Sequence, residues 1–93
     1  MAILLITYDI KTNDDQRKTV ADALAALRAK QLSESSYTIE IEAEPADVYK
    51  HLRTTKANFT HLYIISLSAP WTGFGYRSSS AALESWFGPR QAP

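Results

Sequence analysis

The spacing of apolar positions changes several times along the chain, and each change marks a predicted element. Residues 2–10 (AILLITYDI) are almost continuously apolar and rich in β-branched and aromatic side chains. That pattern is typical of a strand buried on both faces, and therefore central in its sheet. Further along, apolar side chains recur at helical spacing and predict an amphipathic helix of about four turns: Val20, Ala23, Leu24 and Leu27.

Polar residues between this strand and helix carry the signals of a helix start. Thr12 and Asn13 are suited to the N-cap, and Asp14 and Asp15 suit the positive end of the helix dipole. We therefore expect the helix to begin directly after the turn that follows the first strand.

The second half of the chain predicts further strands and a second helix. Residues 37–43 alternate apolar with polar and, with a bend at residues 33–36, indicate two strands over about 29–34 and 36–43. Pro45 is placed to start a second helix, and residues 59–68 (FTHLYIISLS) predict a last strand. In the remainder, the serines at 78–80 could cap a short helix over 81–87 that Gly88 ends.

This order, βαββαβ, predicts an α+β fold: a ferredoxin-like antiparallel sheet with two helices on one face, plus a short C-terminal tail helix. The domain would span residues 1–76 and the tail 77–93. The last strand of such a sheet lies at an edge, and here it is apolar, without charge or proline. Because an uncovered edge of this kind promotes aggregation, we expect the tail or, more economically, a second copy of the chain to cover it.

Composition narrows the class of protein. The 93 residues contain no cysteine, which excludes disulfides and indicates a cytoplasmic setting, and the formal net charge is zero. The longest apolar run is far below the ~20 residues needed to span a bilayer, so no membrane association is expected. The balanced charge argues against nonspecific nucleic-acid binding by a monomer but leaves room for a local basic patch.

Three short motifs, in this order and spacing, resemble the CRISPR-associated protein two family, and more closely its small stand-alone SinR-like relatives. They are residues 8–9 (YD) at the first strand's end, residues 34–37 (ESSY) and residues 71–74 (WTGF). The resemblance covers about residues 2–75 and extends distantly to the virulence-associated protein D toxins, which cleave RNA. It implies a homodimer in which two first-strand aspartates approach each other, bind a divalent metal in some members, and cut nucleic acid. Other members serve as non-catalytic scaffolds for DNA.

Asp9 is the main candidate catalytic and metal-binding residue. Cleavage of a phosphodiester with Mg²⁺, or Mn²⁺, needs hard oxygen ligands, which two copies of Asp9 could supply and one could not. The alternative is a structural role, in which Asp9 accepts a backbone N–H bond in the turn after the strand. Ser35 and Ser36 are candidates to bind a phosphate or orient a water, or are simply hydroxyls of a turn and a strand.

Lys50, Arg53 and Lys56 recur at a spacing of three on and just after the second helix. They could contact the backbone of DNA or RNA, or form the solvated face of an amphipathic helix. The two histidines, His51 and His61, match no metal-binding spacing.

Aromatic side chains concentrate after the last strand: Trp71, Phe74, Trp86 and Phe87. We expect them to close a small core or a dimer contact rather than to stack bases.

Two functions remain open on these grounds. One is a nucleic-acid-associated homodimer acting as a metal-dependent endonuclease through paired Asp9. The other is a non-catalytic dimeric module, regulatory, toxin–antitoxin-like or a scaffold, in which Asp9 is structural.

Overall fold

The structure, a computed structural model, describes residues 1–11 and 14–92. Its elements follow in the order β1 (Ala2–Ile10), α1 (Asp14–Ala26), β2 (Lys30–Ser33), β3 (Ser36–Ile41), α2 (Pro45–Arg53), β4 (Phe59–Ser66) and α3 (Arg77–Phe87). The strands form one four-stranded sheet in the order β2-β3-β1-β4, with each neighbouring pair antiparallel. The predicted α+β class with an antiparallel sheet is confirmed.

The core lies between the sheet and helices α1 and α2. Alternate residues of β1 and β3 face this layer, and the two helices add two side chains each. Fully or almost fully buried are Leu4, Ile6, Tyr8, Ile10, Val20, Leu24, Tyr37, Ile39, Val48 and Leu52. Leu62 and Ile64 of β4 also pack against this core. Because side chains alternate along a strand, the intervening residues of β1 and β4 face the opposite side of the sheet.

Several predicted boundaries need correction. The strands expected over 29–34 and 36–43 are shorter, at Lys30–Ser33 and Ser36–Ile41, and β4 ends at Ser66 rather than at residue 68. The tail helix begins at Arg77, so the serines at 78–80 lie inside its first turn instead of capping it. Backbone hydrogen bonds set these limits, and side-chain patterns locate the ends of elements only to within one or two residues.

The helix ends follow the sequence signals more closely. Pro45 opens α2 behind Glu44, whose side chain and that of Asp47 form a reciprocal capping box. Gly88 ends α3 with a φ of 86°, a conformation that favours glycine. Asp14 and Asp15 lie in the first turn of α1 as expected, whereas the predicted caps Thr12 and Asn13 lie outside the described residues.

The chain after β4 leads to the other edge of the sheet. The Leu67 N–H donates to the Ile3 carbonyl at 2.8 Å, and Gly75 already lies beside Leu32 of β2. There α3 packs against β2, with the Ser79 hydroxyl donating to the Gln31 carbonyl. Since β2 and β4 are opposite edges of the sheet, α3 lies away from β4, and no strand pairs with the outer edge of β4 in the part of the chain that is described.

Candidate functional site

The candidate residues gather at the end of the sheet where β1 finishes, which we call the Asp9 end. Two backbone hydrogen bonds join other segments to this end of β1. The Tyr8 N–H donates to the Ser35 carbonyl at 3.1 Å, and the Lys11 N–H donates to the Asn58 carbonyl at 3.1 Å. The turn between β2 and β3 and the loop between α2 and β4 therefore both lie beside Asp9.

Asp9 is accessible, with 55% of its side chain exposed. Its Oδ1 accepts a hydrogen bond from the Ile10 N–H at 2.9 Å, and Nη2 of Arg17 lies 3.8 Å from the same oxygen. The first contact is the backbone bond that a structural role predicts. Oδ2 has no partner among the described residues, so this oxygen is available to a ligand.

Asp9 suits a divalent cation in its chemistry, but one chain offers too few ligands. A carboxylate oxygen is the hard donor that Mg²⁺ and Mn²⁺ accept. Within residues 1–11 and 14–92, however, no group of three or more histidine, aspartate or glutamate side chains could hold a metal ion. A site at Asp9 would need a second chain to complete it.

The structure brings both candidate serines to the Asp9 end. Ser36 is paired with Thr7 of β1. Ser35 lies in the β2–β3 turn, and its carbonyl accepts the hydrogen bond from the Tyr8 N–H. The hydroxyls of Ser33 and Ser36 hydrogen-bond each other at 2.5 Å. Ser36 already has a partner, therefore, and Ser35 is the freer of the two.

Basic side chains lie around this end as well. Arg53 ends α2 and Lys56 lies in the following loop, both exposed, while Lys50 lies about one helical turn further from the Asp9 end. In the structure, Lys11 and Arg17 also lie at the Asp9 end. Sequence spacing did not connect them with the basic residues of α2, because β1, α1 and α2 come together only in the folded chain.

Charge at the Asp9 end is mixed rather than uniformly positive. Asp14 and Asp15 lie in the first turn of α1, beside the basic groups. Arg53 is also engaged locally, since its guanidinium lies 5.9 Å from the centre of the Tyr49 ring.

A pair of tyrosines lies beneath this end. The rings of Tyr8 and Tyr37 stack with centroids 6.2 Å apart, and Phe59 meets Tyr8 edge-on at 6.0 Å. Burial, with the neighbouring Tyr37 hydroxyl, raises the pKa of Tyr8 to about 12, while Arg17 acts in the opposite direction. Tyr8 therefore stays protonated at physiological pH. A cavity of about 240 Å³ opens beside the pair, lined by Tyr8, Arg17, Lys18, Ala21, Gln31, Glu34 and Tyr37.

Sequence reasoning missed His61, which the structure places directly opposite Asp9 in the β1–β4 pair. The alternation within residues 59–66 could have shown that His61, Tyr63 and Ile65 share a face, but only the pairing register shows that Asp9 shares it too. We call this face, opposite α1 and α2, the open face: Leu5, Thr7, Asp9, His61, Tyr63 and Ile65. Tyr63 is 61% exposed and Ile65 49%.

The C-terminal aromatics differ in their exposure. Trp71, Trp86 and Phe87 are half-buried, and the Trp71 indole N–H donates to the Gly88 carbonyl at 2.9 Å. Phe74 is 97% exposed, so it does not close a core within one chain, and the other expected role, a dimer contact, stays a prediction. Its neighbour Gly73 has a φ of 144°, a conformation that favours glycine.

Two further findings bear on function. Among the helices of the described residues, none combines the length and the apolar character needed to cross a bilayer. No protein-family model matches the chain, and a search of curated proteins gives no match either.

Proposed function

We propose that this protein is a ferredoxin-like homodimer of the CRISPR-associated protein two type that binds nucleic acid and cleaves it as a metal-dependent endonuclease through paired Asp9. The observation that carries the proposal is the convergence at the Asp9 end. An exposed carboxylate, the Ser35–Ser36 turn and basic side chains come from β1, α1, the β2–β3 turn and the loop after α2. These are the groups that binding and cleaving a phosphodiester require.

The dimer is supported by the open face and by the edge of β4. Tyr63 and Ile65 present apolar surface to solvent, and the outer edge of β4 has no partner strand in the described chain. Such an edge is normally covered, and a second copy would cover it. In a two-fold dimer each chain contributes the same patch. Since Asp9 belongs to the open face, pairing through this face would bring in a second Asp9.

The two Asp9 carboxylates would hold Mg²⁺ or Mn²⁺. When bound, such an ion neutralises phosphate charge and activates a water for attack. The residues of the chain have separate tasks. Arg17 and the Ile10 N–H hold Oδ1 of Asp9, so that the carboxylate keeps one orientation. Lys11, Arg53 and Lys56 would bind phosphates of the strand, and the Ser35 hydroxyl would donate to a phosphate oxygen.

The alternative function is a non-catalytic dimeric module, regulatory, toxin–antitoxin-like or a scaffold. One observation favours it: Oδ1 of Asp9 already accepts the Ile10 N–H, as a purely structural residue would. In that case the open face still forms the dimer, and the basic residues Arg53 and Lys56 serve binding alone.

Cleavage of single- and double-stranded DNA and RNA in the presence of Mg²⁺ or Mn²⁺ separates the two functions. We expect Asp9→Asn to abolish cleavage. Asp22→Asn, which removes another exposed carboxylate from α1, should leave cleavage unchanged. Cleavage that survives Asp9→Asn would contradict the mechanism, and cleavage of none of the four substrates would favour the non-catalytic module.

Binding of the same nucleic acids tests the basic residues. Replacing both Arg53 and Lys56 with alanine should weaken binding and reduce the slope of log affinity against log salt by about 1 for each phosphate that the variant no longer binds. Replacing Arg77 and Arg90, which lie in the tail, is the matched control. An equal weakening in the control would show that net charge, rather than the Asp9 end, governs binding.

A further inference from the structure

His61 and Asp9 are cross-strand neighbours on the open face. They are aligned Cα partners in the antiparallel pair of β1 and β4, and both are exposed. Side chains directly opposite each other in such a pair have Cβ atoms about 4.5–5.5 Å apart. At that spacing an imidazole and a carboxylate can both reach one ion.

The surroundings of His61 leave its nitrogens free. Its ring stacks on that of Tyr63, two residues along the same strand, with centroids 5.6 Å apart and planes 28° apart. Neither imidazole nitrogen has a hydrogen-bond partner in the described part of the chain. Stacking on Tyr63 therefore orients the ring without occupying the atoms that bind metals.

From this arrangement we infer that His61 is the second ligand that each chain contributes beside Asp9, so that the site takes a divalent transition-metal ion such as Mn²⁺ in preference to Mg²⁺. The inference rests on the proposed function for its dimer, since two chains would then supply two carboxylates and two imidazoles. One chain supplies only two ligands, which agrees with the lack of any three-residue group in the described residues.

The choice of metal follows from ligand chemistry. Mg²⁺ prefers an octahedron of oxygen donors and keeps several of its waters, so an imidazole adds little to its binding. First-row transition ions accept imidazole nitrogen together with carboxylate oxygen. A pair of His61 and Asp9 therefore discriminates between these ions where paired Asp9 alone would not.

The inference is tested by titration calorimetry of the full chain with Mn²⁺ and, separately, with Mg²⁺. Electron paramagnetic resonance of bound Mn²⁺ gives a second measurement of its ligands. We expect His61→Ala to weaken Mn²⁺ binding by more than about tenfold, since even groups behind the metal ligands are worth 10–100-fold. Mg²⁺ binding should change little. Asp9→Asn should weaken both ions.

The chain offers a matched control in its other histidine. His51 is also exposed but lies on α2, away from the open face, and His51→Ala should leave Mn²⁺ binding unchanged. Circular dichroism checks that each variant is folded, which we expect because both histidines are exposed.

The outcomes separate this inference from the proposed function. Equal Mn²⁺ binding by the wild type and His61→Ala, or no Mn²⁺ binding at all, would overturn the role of His61, even if Asp9→Asn abolished cleavage. Mn²⁺ binding that needs both His61 and Asp9 would support it, even if no nucleic acid were cut and the endonuclease proposal failed.

Discussion

Ile65 is the residue whose substitution tests the proposed dimer most directly. It lies on the open face, 49% exposed, between the apolar surface of Tyr63 and the end of β4. Complete burial of an isoleucine side chain is worth about 1.5–3 kcal/mol. Because about half of Ile65 is still available for burial, a partner covering it would gain about 1 kcal/mol per chain.

A two-fold dimer contains this residue twice, so Ile65→Ala should weaken association by about 2 kcal/mol, or about 30-fold in Kd. Sedimentation equilibrium over a range of protein concentrations measures this Kd. Tyr49→Ala is the matched control, because Tyr49 is similarly exposed, at 43%, but lies on α2. We expect that substitution to leave the Kd unchanged.

Three results would refute the reasoning: a wild-type protein that is monomeric at every concentration, an unchanged Kd for Ile65→Ala, or an equal weakening by Tyr49→Ala. The first would remove the dimer altogether. Either of the other two results would show that the dimer interface does not lie on the open face.

Three further predictions concern the stability of the fold. Leu52→Ala, at a fully buried position, should lower the free energy of unfolding by about 2–5 kcal/mol, measured by urea denaturation. The exposed Lys50→Ala should change that free energy by less than about 0.5 kcal/mol. Similar values for the two variants would show that α2 is not packed on the core. Because the pKa of Tyr8 is raised from 10.0 to about 12 in the folded chain, its contribution to stability is complete well below pH 10 and is lost as the pH rises from 10 through about 12. Tyr8→Phe should lack this loss, and parallel stability curves for both proteins over that range would contradict it. Gly88→Ala should destabilise the protein by about 1 kcal/mol in thermal unfolding, because a φ of 86° is strained for alanine. Gly75→Ala should have a smaller effect. A larger effect of Gly75→Ala would contradict the assignment of Gly88 as the helix end.

The fold could be predicted where local signals and packing agree. The unbroken apolar run of residues 2–10 indicated a central strand, and β1 indeed lies between β3 and β4. Pro45 indicated the start of α2 because, within a helix, its fixed φ and missing N–H suit only the first turn. The serines at 78–80 misled because a serine is as compatible with the first turn of a helix as with its cap, and the packing of Ser79 on Gln31 decides between them.

The candidate site could be predicted only in part, because its members are distant in sequence. Asp9 and the serines were found as residue types at strand ends. The position of His61 opposite Asp9 depends on the register between two strands about fifty residues apart in sequence. This register includes an irregularity between Asp9 and Ile10, and no local sequence pattern encodes it. The exposure of Phe74 was equally hidden, since composition does not show which of several aromatic residues the loop turns outward.

The last residues of the described chain fasten the loop that carries Phe74. Besides the Trp71 bond to Gly88, the Gln91 N–H donates to the Trp71 carbonyl at 2.8 Å, and Nη1 of Arg90 donates to the Gly73 carbonyl at 3.0 Å. These three hydrogen bonds join the segment before α3 to the segment after it, and none of them involves a residue of the sheet. Such a segment can open as one cooperative unit while the sheet stays folded. In hydrogen exchange, the Gln91 amide and the Trp71 indole N–H would therefore lose their protection together, well before the amides of β1 do, and shortening the chain by its last six residues would release the loop without unfolding the core.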